Sequence, residues 1–235
     1  MTGATLDYGR FEALTFDCYG TLIDWEAGIL DGLRPSLASL PVAPPDDEVL
    51  EVYARAEARL EAGPYLSYRE ILARSHGEVC AHYGLAADDR AAASFGASVG
   101  DWPAFPDSAA ALARLKARFR LGVITNCDTD LFAASNRRLG VDFDWVVTAE
   151  MVGSYKPDPR NFEAAFAVLG LPREQILHVA QSLYHDHVPA RALGLATVWI
   201  DRRRGRPGTG ATPPASVTPD ATFPDMATFA AAATA

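Results

Sequence analysis

Short apolar runs recur along the chain and alternate, over most of its length, with segments of helical spacing. The runs cover residues 13–17, 121–125, 145–148, 176–180, 196–200 and 221–223. Apolar runs of this length, bounded by turns, are typical of buried strands. Helical patterns lie between them at residues 106–118, 131–139, 162–169 and 188–193. Because strands that alternate with helices form parallel sheets with right-handed crossovers, the pattern predicts an α/β fold.

Between the first and second predicted strands the pattern is helical throughout. Apolar residues such as Leu33 and Leu37 recur at helical spacing, and breaks occur around Pro45 and Pro64. The length of this stretch predicts roughly four or five helices. We therefore expect a core of residues 1–23 and 101–235, with a helical insertion of residues 24–100.

Composition and charge exclude several classes of protein. The chain is 49% hydrophobic and 22% charged, and its net charge of −9 disfavours a nucleic-acid surface. Its three cysteines are too few for a disulfide framework or a zinc site. We expect a cytoplasmic protein without a membrane partner, since the sequence shows neither a signal peptide nor the roughly 20 apolar residues of a membrane helix. A basic cluster of Arg202, Arg203, Arg204 and Arg206 predicts a solvated loop.

Asp17 follows the first apolar run and precedes a turn at Gly20-Thr21. Loops at the carboxyl ends of parallel strands build the active sites of open α/β folds, so Asp17 is a candidate catalytic carboxylate. The alternative is an aspartate that caps a helix or a turn. A carboxylate can attack an electrophilic centre and form an ester that water hydrolyses. Because burial raises the pKa of a carboxyl group, such a nucleophile needs a nearby cation.

Lys156 is the candidate cation, since Pro157 follows it and stiffens the loop that positions it. Its alternative is an ordinary surface lysine. The hydroxyls of Thr21 and Thr125 and the amide of Asn126 also stand at strand ends. They are candidates to hold a substrate carboxylate or phosphate. The alternative for the two threonines is that they cap the following helices.

Four short motifs follow one another along the chain. LTFDCYGTLID contains Asp17, Thr125-Asn126 ends an apolar run, SYKPDP contains Lys156, and VAQSLYHD ends at Asp186. In this order the chain resembles the haloacid dehalogenase superfamily over nearly its whole length. The resemblance implies a Rossmann-like parallel sheet core with a helical cap domain, inserted after the first motif, that closes over the nucleophile.

The resemblance also implies roles for single residues of the core. Asp17 matches the nucleophile, and Lys156 matches the lysine that contacts it. Asn126 matches an asparagine beside the leaving halide, and Asp186 is expected to orient Lys156 or the hydrolytic water. Ser182 stands where the family has a further asparagine.

In the predicted cap, Arg55 is the candidate for the family's halide-binding arginine, with Arg59 and Arg69 as rivals. Glu57 lies on the same predicted helix, and its role is an open question. If Glu57 faces the site, it is a base or a charge that repels anionic substrates. Otherwise any of these four side chains lies on a solvated helix face.

Two positions depart from the phosphatases of this superfamily. Tyr19 stands where they have a second aspartate that protonates the leaving alcohol, and Gln181 stands where they have a Mg²⁺-binding aspartate. Mg²⁺ prefers carboxylate oxygen, whereas a halide leaves without a proton or a metal. The tyrosine form is that of the metal-independent 2-haloacid dehalogenases. The resemblance therefore implies a cofactor-free hydrolase that cleaves the carbon–halogen bond of short 2-haloacids through an aspartyl ester, with Tyr19 in the pocket wall.

The fourth motif is one residue longer than the pattern of established 2-haloacid dehalogenases and leaves other functions open. One is a phosphatase for a small phosphomonoester, with Asp186 as the remaining metal ligand. Another is displacement of a non-halide leaving group, and a third is a binding protein that has lost its chemistry. The expected partner is a small anionic substrate, and the resemblance adds a homodimer as an expected assembly.

Overall fold

A parallel sheet of six strands forms the centre of the computed structural model, which describes residues 6–235. The strands are β1 (Ala13–Phe16), β2 (Arg120–Thr125), β3 (Trp145–Thr148), β4 (Ile176–Ala180), β5 (Ala196–Ile200) and β6 (Ala221–Phe223). Their spatial order is β3-β2-β1-β4-β5-β6, and every neighbouring pair is parallel. Phe16 of β1 pairs with Val123 on one side and with Val179 on the other. The predicted α/β fold is confirmed.

The helices fall into two groups along the chain. Between β1 and β2 lie α1 (Trp25–Leu37), α2 (Asp46–Glu61), α3 (Tyr68–His82) and α4 (Asp89–Ala97), hereafter the inserted helices. Between and after the later strands lie α5 (Ser108–Lys116), α6 (Thr129–Leu139), α7 (Ala149–Val152), α8 (Arg160–Leu169), α9 (Val188–Ala192) and α10 (Met226–Ala233). The division of the chain at residues 24 and 100 stays a prediction. Of the helices within residues 6–235, none combines the length and apolarity needed to cross a bilayer.

Side-chain caps set the starts of three inserted helices. Asp24, Ser67 and Asp88 each accept a hydrogen bond from a backbone N–H in the first turn of the helix that follows. Such a cap satisfies a donor that the helix itself leaves free and contributes about 1 kcal/mol. Local sequence therefore decides where these helices begin, independently of how they pack.

The connection between β5 and β6 packs against the inserted helices instead of forming a fully solvated loop. The guanidinium of Arg203 is largely buried and donates to Glu26 of α1 at 2.6 Å and to Asp47 of α2 at 2.7 Å. Arg202 donates to Asp107 at 2.9 Å and is also largely buried. The prediction of a solvated cluster is therefore wrong for Arg202 and Arg203, because their acidic partners are distant in sequence. The salt bridges of Arg203 join the inserted helices to the sheet.

Gly122 of β2 lies under the indole of Trp145, and a methyl group added to this glycine overlaps the ring. Because overpacking displaces neighbouring groups, we expect Gly122→Ala to lower the free energy of unfolding by about 1–3 kcal/mol. Gly77→Ala in α3 is the matched control, since the described chain places nothing within 4 Å of its added methyl group. Alanine there should stabilise the helix by about 0.5–1 kcal/mol. Thermal unfolding followed by circular dichroism measures both changes, and equal melting temperatures would contradict the packing argument.

Candidate active site

The carboxyl ends of three neighbouring strands bring polar side chains to one edge of the sheet. Asp17 follows β1 directly, Asn126 follows β2, and Gln181 follows β4. Lys156 reaches this edge from the loop between α7 and α8. Because parallel strands all end at the same side, residues far apart in sequence meet here. The cleft above this edge is lined by Asp17, Tyr19, Trp25, Glu57, Glu61, Tyr68, Asn126, Lys156, Ser182, His185 and Asp186.

Lys156 makes the central contacts of the cleft. Its ammonium donates to Oδ1 of Asp17 at 2.9 Å, to Oδ1 of Asp186 at 2.7 Å and to the carbonyl of Ile124 at 2.8 Å. The side chain is only 1% exposed. An ammonium has three N–H donors, so all three are engaged and the charge is held in one place. The structure therefore brings together Asp17, Lys156 and Asp186, which the sequence places in three separate motifs.

Burial and neighbouring charges shift the pKa values of Asp17, Asp186 and Lys156 in opposite directions. Burial raises the pKa of Asp17, the Lys156 ammonium opposes this, and the net pKa is raised. Burial also raises the pKa of Asp186, but Lys156 and His178 outweigh it and hold that pKa well below its usual range. For Lys156, burial lowers the pKa, but the two carboxylates outweigh burial and raise it. Lys156 and Asp186 thus stay charged at neutral pH, and Asp17 is the more basic carboxylate.

Thr21 holds the second oxygen of Asp17. Its hydroxyl donates to Oδ2 at 2.6 Å and accepts the backbone N–H of Gln181 at 2.9 Å. Lys156 contacts Oδ1 of the same carboxylate, so both oxygens are fixed by donors. The carboxylate plane is therefore set before any substrate arrives, which is a requirement for efficient attack. Thr21 thus contacts the Asp17 carboxylate, and Asp24 instead caps the helix that follows.

His178 is a buried neighbour of Asp186 that the sequence analysis missed. Its Nε2 lies 2.9 Å from Oδ1 of Asp186, and its Nδ1 lies 2.9 Å from the hydroxyl of Thr15. The ring is fully buried in β4. A histidine within an otherwise apolar parallel strand was the available signal, because a buried polar side chain requires partners. His178 therefore fixes the orientation of Asp186, whose other oxygen, Oδ2, is buried without a partner in the described chain.

Tyr19, Asn126 and Ser182 line the cleft, and each is held by protein atoms. The hydroxyl of Tyr19 lies 3.0 Å from that of Ser135. The amide of Asn126 donates to the Lys156 carbonyl at 3.0 Å and accepts the Lys156 N–H at 2.7 Å, so it anchors the lysine loop. The hydroxyl of Ser182 accepts the backbone N–H of His185 at 2.9 Å. Contacts of these three with a substrate stay a prediction.

Two predicted binding residues are not brought to the cleft. Thr125 is buried beneath it, and its hydroxyl finds no hydrogen-bond partner among residues 6–235. Arg55 is exposed and lines a separate groove beside Pro213. This corrects the assignment of Arg55 as the arginine of the site. Glu57 faces the cleft, and two residues correspond to about 200° of helical rotation, so Arg55 points to another side of α2.

α2 instead presents two carboxylates to the cleft, Glu57 and Glu61. They are four residues apart and therefore lie on one helix face. Oε1 of Glu57 accepts hydrogen bonds from Tyr53 at 2.7 Å and from Tyr68 at 2.9 Å. Glu57 was an open question in the sequence, and Glu61 was missed, although its helical spacing from Glu57 was visible. The acidic face of α2 is the largest difference between the expected and the observed site.

The cleft is small and leads to a larger outer cavity. Its volume is about 30 Å³, compared with about 330 Å³ for the outer cavity. Glu61 and Lys156 line both, so they stand where the two spaces meet. The inner cleft is therefore narrow, and the wider outer cavity is the larger of the two spaces. The arrangement fits a small molecule that enters past Glu61 and reaches Asp17.

The ionisation of Glu57 should make stability fall with rising pH. Burial raises the pKa of Glu57 from 4.5 to about 7, although the two tyrosine hydroxyls oppose this. The folded state therefore holds the proton more tightly, and this stabilisation is complete below about pH 4.5 and lost as the pH rises through about 7. Glu57→Gln keeps the shape and removes the ionisation.

Between about pH 5 and 9, the melting temperature of the wild type should therefore fall by several degrees relative to that of Glu57→Gln. Differential scanning calorimetry in matched buffers measures this difference. Glu51→Gln, on the same helix but outside the cleft, is the control and should follow the wild type. A constant difference between wild type and Glu57→Gln at every pH would contradict the raised pKa.

The chain is similar to known proteins over most of its length. A family model described as haloacid dehalogenase-like hydrolase matches residues 11–192. The chain is 28% identical over 202 residues to (S)-2-haloacid dehalogenase H-109 of Pseudomonas putida, covering 82% of this chain and 86% of that protein. It is 28% identical over 199 residues to haloacetate dehalogenase H-2 of Moraxella sp. (strain B), covering 82% and 87%. The crystal structure of the L-2-haloacid dehalogenase PA0810 superposes with a TM-score of 0.76 at 25% identity, covering 94% and 97%.

The family match runs from just before β1 to the end of α9. It therefore includes all three groups of the central network, Asp17, Lys156 and Asp186. The similar solved structure extends the agreement to nearly the whole fold. On these grounds the chain belongs to the haloacid dehalogenase-like hydrolase family.

Proposed function

We propose that this protein hydrolyses the carbon–halogen bond of a small 2-haloacid through an ester on Asp17, without a metal ion. The observation that carries the proposal is the buried ammonium of Lys156, 2.9 Å from Asp17 and 2.7 Å from Asp186. The relatives named as 2-haloacid dehalogenases and haloacetate dehalogenase support it. The inserted helices, within residues 24–100, form a cap that closes the cleft above Asp17.

In the first step, a carboxylate oxygen of Asp17 attacks C2 of the substrate. A carbon–oxygen bond forms as the carbon–halogen bond breaks, and the halide leaves with the bonding electron pair. Lys156 keeps Asp17 ionised for this attack, because an adjacent cation favours the charged form of a carboxyl group. The leaving halide needs no proton. A tyrosine, Tyr19, can therefore stand where the phosphatases have a proton-donating aspartate. Asn126 and Ser182 offer neutral donors to the substrate carboxylate.

In the second step, water attacks the carbonyl carbon of the Asp17 ester. The ester bond breaks, the 2-hydroxy acid leaves with one proton from the water, and the second proton passes to solvent. Oδ2 of Asp186 is the free oxygen of an ionised carboxylate that lines the cleft, and it orients the water. His178 and Lys156 hold the other oxygen of Asp186, so Oδ2 keeps a fixed direction.

A Mg²⁺-dependent phosphatase is the weaker alternative for this cleft. Gln181 stands where the phosphatases have a Mg²⁺-binding aspartate, so the cleft offers one carboxylate fewer to a divalent ion. Tyr19 occupies the place of the phosphatase acid, and its hydroxyl lies 3.0 Å from Ser135. Burial raises the pKa of Tyr19 well above its usual value, so its hydroxyl is a poor proton donor. Displacement of a halide requires neither the metal nor the acid.

Purified protein should release chloride from one enantiomer of 2-chloropropionate at a rate that EDTA does not change. Asp17→Asn should lower kcat by about 10³-fold or more, since it removes the attacking oxygen. An ion-selective electrode measures the chloride. In labelled water, a single turnover should place the heavy oxygen in the Asp17 carboxyl group, as an ester intermediate requires.

Asp142→Asn, an exposed aspartate outside the cleft, is the matched control and should keep wild-type turnover. Full turnover by Asp17→Asn would exclude the ester mechanism. Phosphate release from small phosphomonoesters that EDTA abolishes and Mg²⁺ restores, without chloride release, would instead favour the phosphatase.

A further inference from the structure

We propose that the outer cavity holds an aryl group of the substrate, so that the preferred substrate is a 2-haloacid whose C2 substituent carries an aromatic ring. This inference rests on the proposed function and specifies its substrate class. It starts from the two spaces that meet at Glu61 and Lys156, the inner cleft of about 30 Å³ and the outer cavity of about 330 Å³. The reacting carbon lies in the inner cleft beside Asp17, and a short 2-haloacid makes no use of the outer cavity.

A row of tyrosine rings connects the outer cavity with the inner cleft. Tyr65 and Tyr155 line the outer cavity, and Tyr68 and Tyr19 line the cleft. The ring centroids lie 5.5 Å apart for Tyr65 and Tyr155, 6.5 Å apart for Tyr155 and Tyr68, and 6.4 Å apart for Tyr68 and Tyr19. These are the separations of interacting aromatic pairs. The path to Asp17 therefore has an aromatic wall along its length.

The protein holds the middle of this row and leaves its outer end open. Tyr155 is buried, and its hydroxyl donates to the carbonyl of Leu66 at 2.8 Å. The ring of Tyr65 stacks on that of Tyr155 at 22° between the planes, but Tyr65 is 39% exposed. A ligand ring in the outer cavity would bury apolar area on Tyr65, which is favourable.

The longer fourth motif adds another tyrosine to the outer cavity. Leu183–His187 form a π-helical turn, in which the N–H of His187 donates to the carbonyl five residues earlier at 3.3 Å. Such a turn accommodates one residue more than an α-helical turn, and π-helical turns are frequent at functional sites. Tyr184 of this turn lines the outer cavity, while Asp186 still contacts Lys156 at 2.7 Å. The departure from the family pattern therefore coincides with the wall of the outer cavity, and the ion pair is kept.

On the side of the inserted helices, small residues leave room for a ring. Ala58 and Ala62 both line the outer cavity, and Gly63 follows them. The two alanines are four residues apart and therefore lie on one face of the helix. Larger side chains at these positions would occupy the space that we assign to the aryl group.

The charges around the outer cavity favour a neutral occupant. Arg160 contacts Asp158 at 2.9 Å, and the Lys156 ammonium contacts two carboxylates on the sheet side. Burial raises the pKa of Glu61 well above its usual value, which favours its uncharged form. A charged substituent would find no free opposite charge among these groups. An aryl group is neutral, and its face and edge suit the tyrosine rings.

The binding test uses three hydrolysis products that share a 2-hydroxy acid and differ in its substituent. Phenyllactate carries a ring on C3, 2-hydroxyhexanoate carries an alkyl chain, and lactate carries neither. Isothermal titration calorimetry measures the binding of each compound, in both enantiomers, to the wild type and to four variants. Circular dichroism first establishes that each variant is folded.

Two of the variants change the outer cavity and two are controls. Ala58→Leu fills space without adding a ring, and Tyr65→Leu removes a ring but keeps an apolar side chain. Tyr65→Phe keeps the ring and removes only the hydroxyl. Ala81→Leu, at an exposed position of α3 outside both spaces, is the matched control for Ala58→Leu.

We expect the wild type to bind phenyllactate about tenfold or more tightly than lactate, and more tightly than 2-hydroxyhexanoate, because aromatic pairs contribute beyond the area that they bury. Ala58→Leu and Tyr65→Leu should each reduce this preference, whereas Tyr65→Phe and Ala81→Leu should keep it. Lactate or 2-hydroxyhexanoate bound as tightly as phenyllactate by the wild type would overturn the proposal. So would a preference that Ala58→Leu and Tyr65→Leu both retain in full.

Chloride release from 2-chloropropionate and from 2-chloro-3-phenylpropionate separates this inference from the proposed function. Selective binding of phenyllactate without chloride release from either compound would reject dehalogenation and keep the aryl site. Chloride release from 2-chloropropionate with a preference for lactate would keep dehalogenation and reject the aryl site. We expect the phenyl substrate to have the higher kcat/KM, and Ala58→Leu to reduce that advantage mainly through KM.

Discussion

A single buried ammonium determines the chemistry on the sheet side of the cleft. Lys156 contacts Asp17 and Asp186, and each carboxylate would be costly to ionise at that depth without it. In turn, the two carboxylates keep the lysine charged against the effect of burial. The three groups are therefore stable only together, and this mutual dependence ties β1, β4 and the loop before α8 to one geometry.

Neighbouring side chains fix the orientation of the two carboxylates in this network. Thr21 and Lys156 hold one oxygen each of Asp17, while Lys156 and His178 share one oxygen of Asp186. Asn126 fixes the backbone of the lysine loop from the end of β2. Reaction rates depend on pre-set positions of this kind, because the reacting groups then need little rearrangement in the transition state. Oδ2 of Asp186 is the oxygen of the two carboxylates that has no hydrogen-bond partner in the described network.

The helix side of the cleft carries two further carboxyl groups, Glu57 and Glu61, and burial raises the pKa of both. The sheet-side carboxylates contact the Lys156 ammonium, whereas Glu57 accepts from two tyrosine hydroxyls and Glu61 has the amide of Asn126 and the ring of His185 as neighbours. Arg203, in the connection after β5, forms ion pairs with Glu26 and Asp47 and so joins the inserted helices to the sheet. Proteins that share a fold differ in the substrates they accept because different side chains line their sites.

The sequence by itself determined the order of strands and helices and the candidates Asp17, Lys156 and Asp186. These features depend on local spacing, on turns and on short motifs, all of which are visible without a structure. The caps Asp24, Ser67 and Asp88 are equally local, so the starts of three of the four inserted helices depend on local sequence.

Only the tertiary structure decided which face of α2 meets the cleft. Helical spacing shows which residues share a face, but Arg55 and Glu57 are both charged, and a pattern of polar residues predicts that both face solvent. The burial of Glu57 depends on hydroxyls from Tyr53 and Tyr68, and that of Arg203 depends on Glu26 and Asp47. Most of these partners lie on other elements. A charged side chain is buried only where such partners meet it, and long-range packing, not local spacing, brings them together.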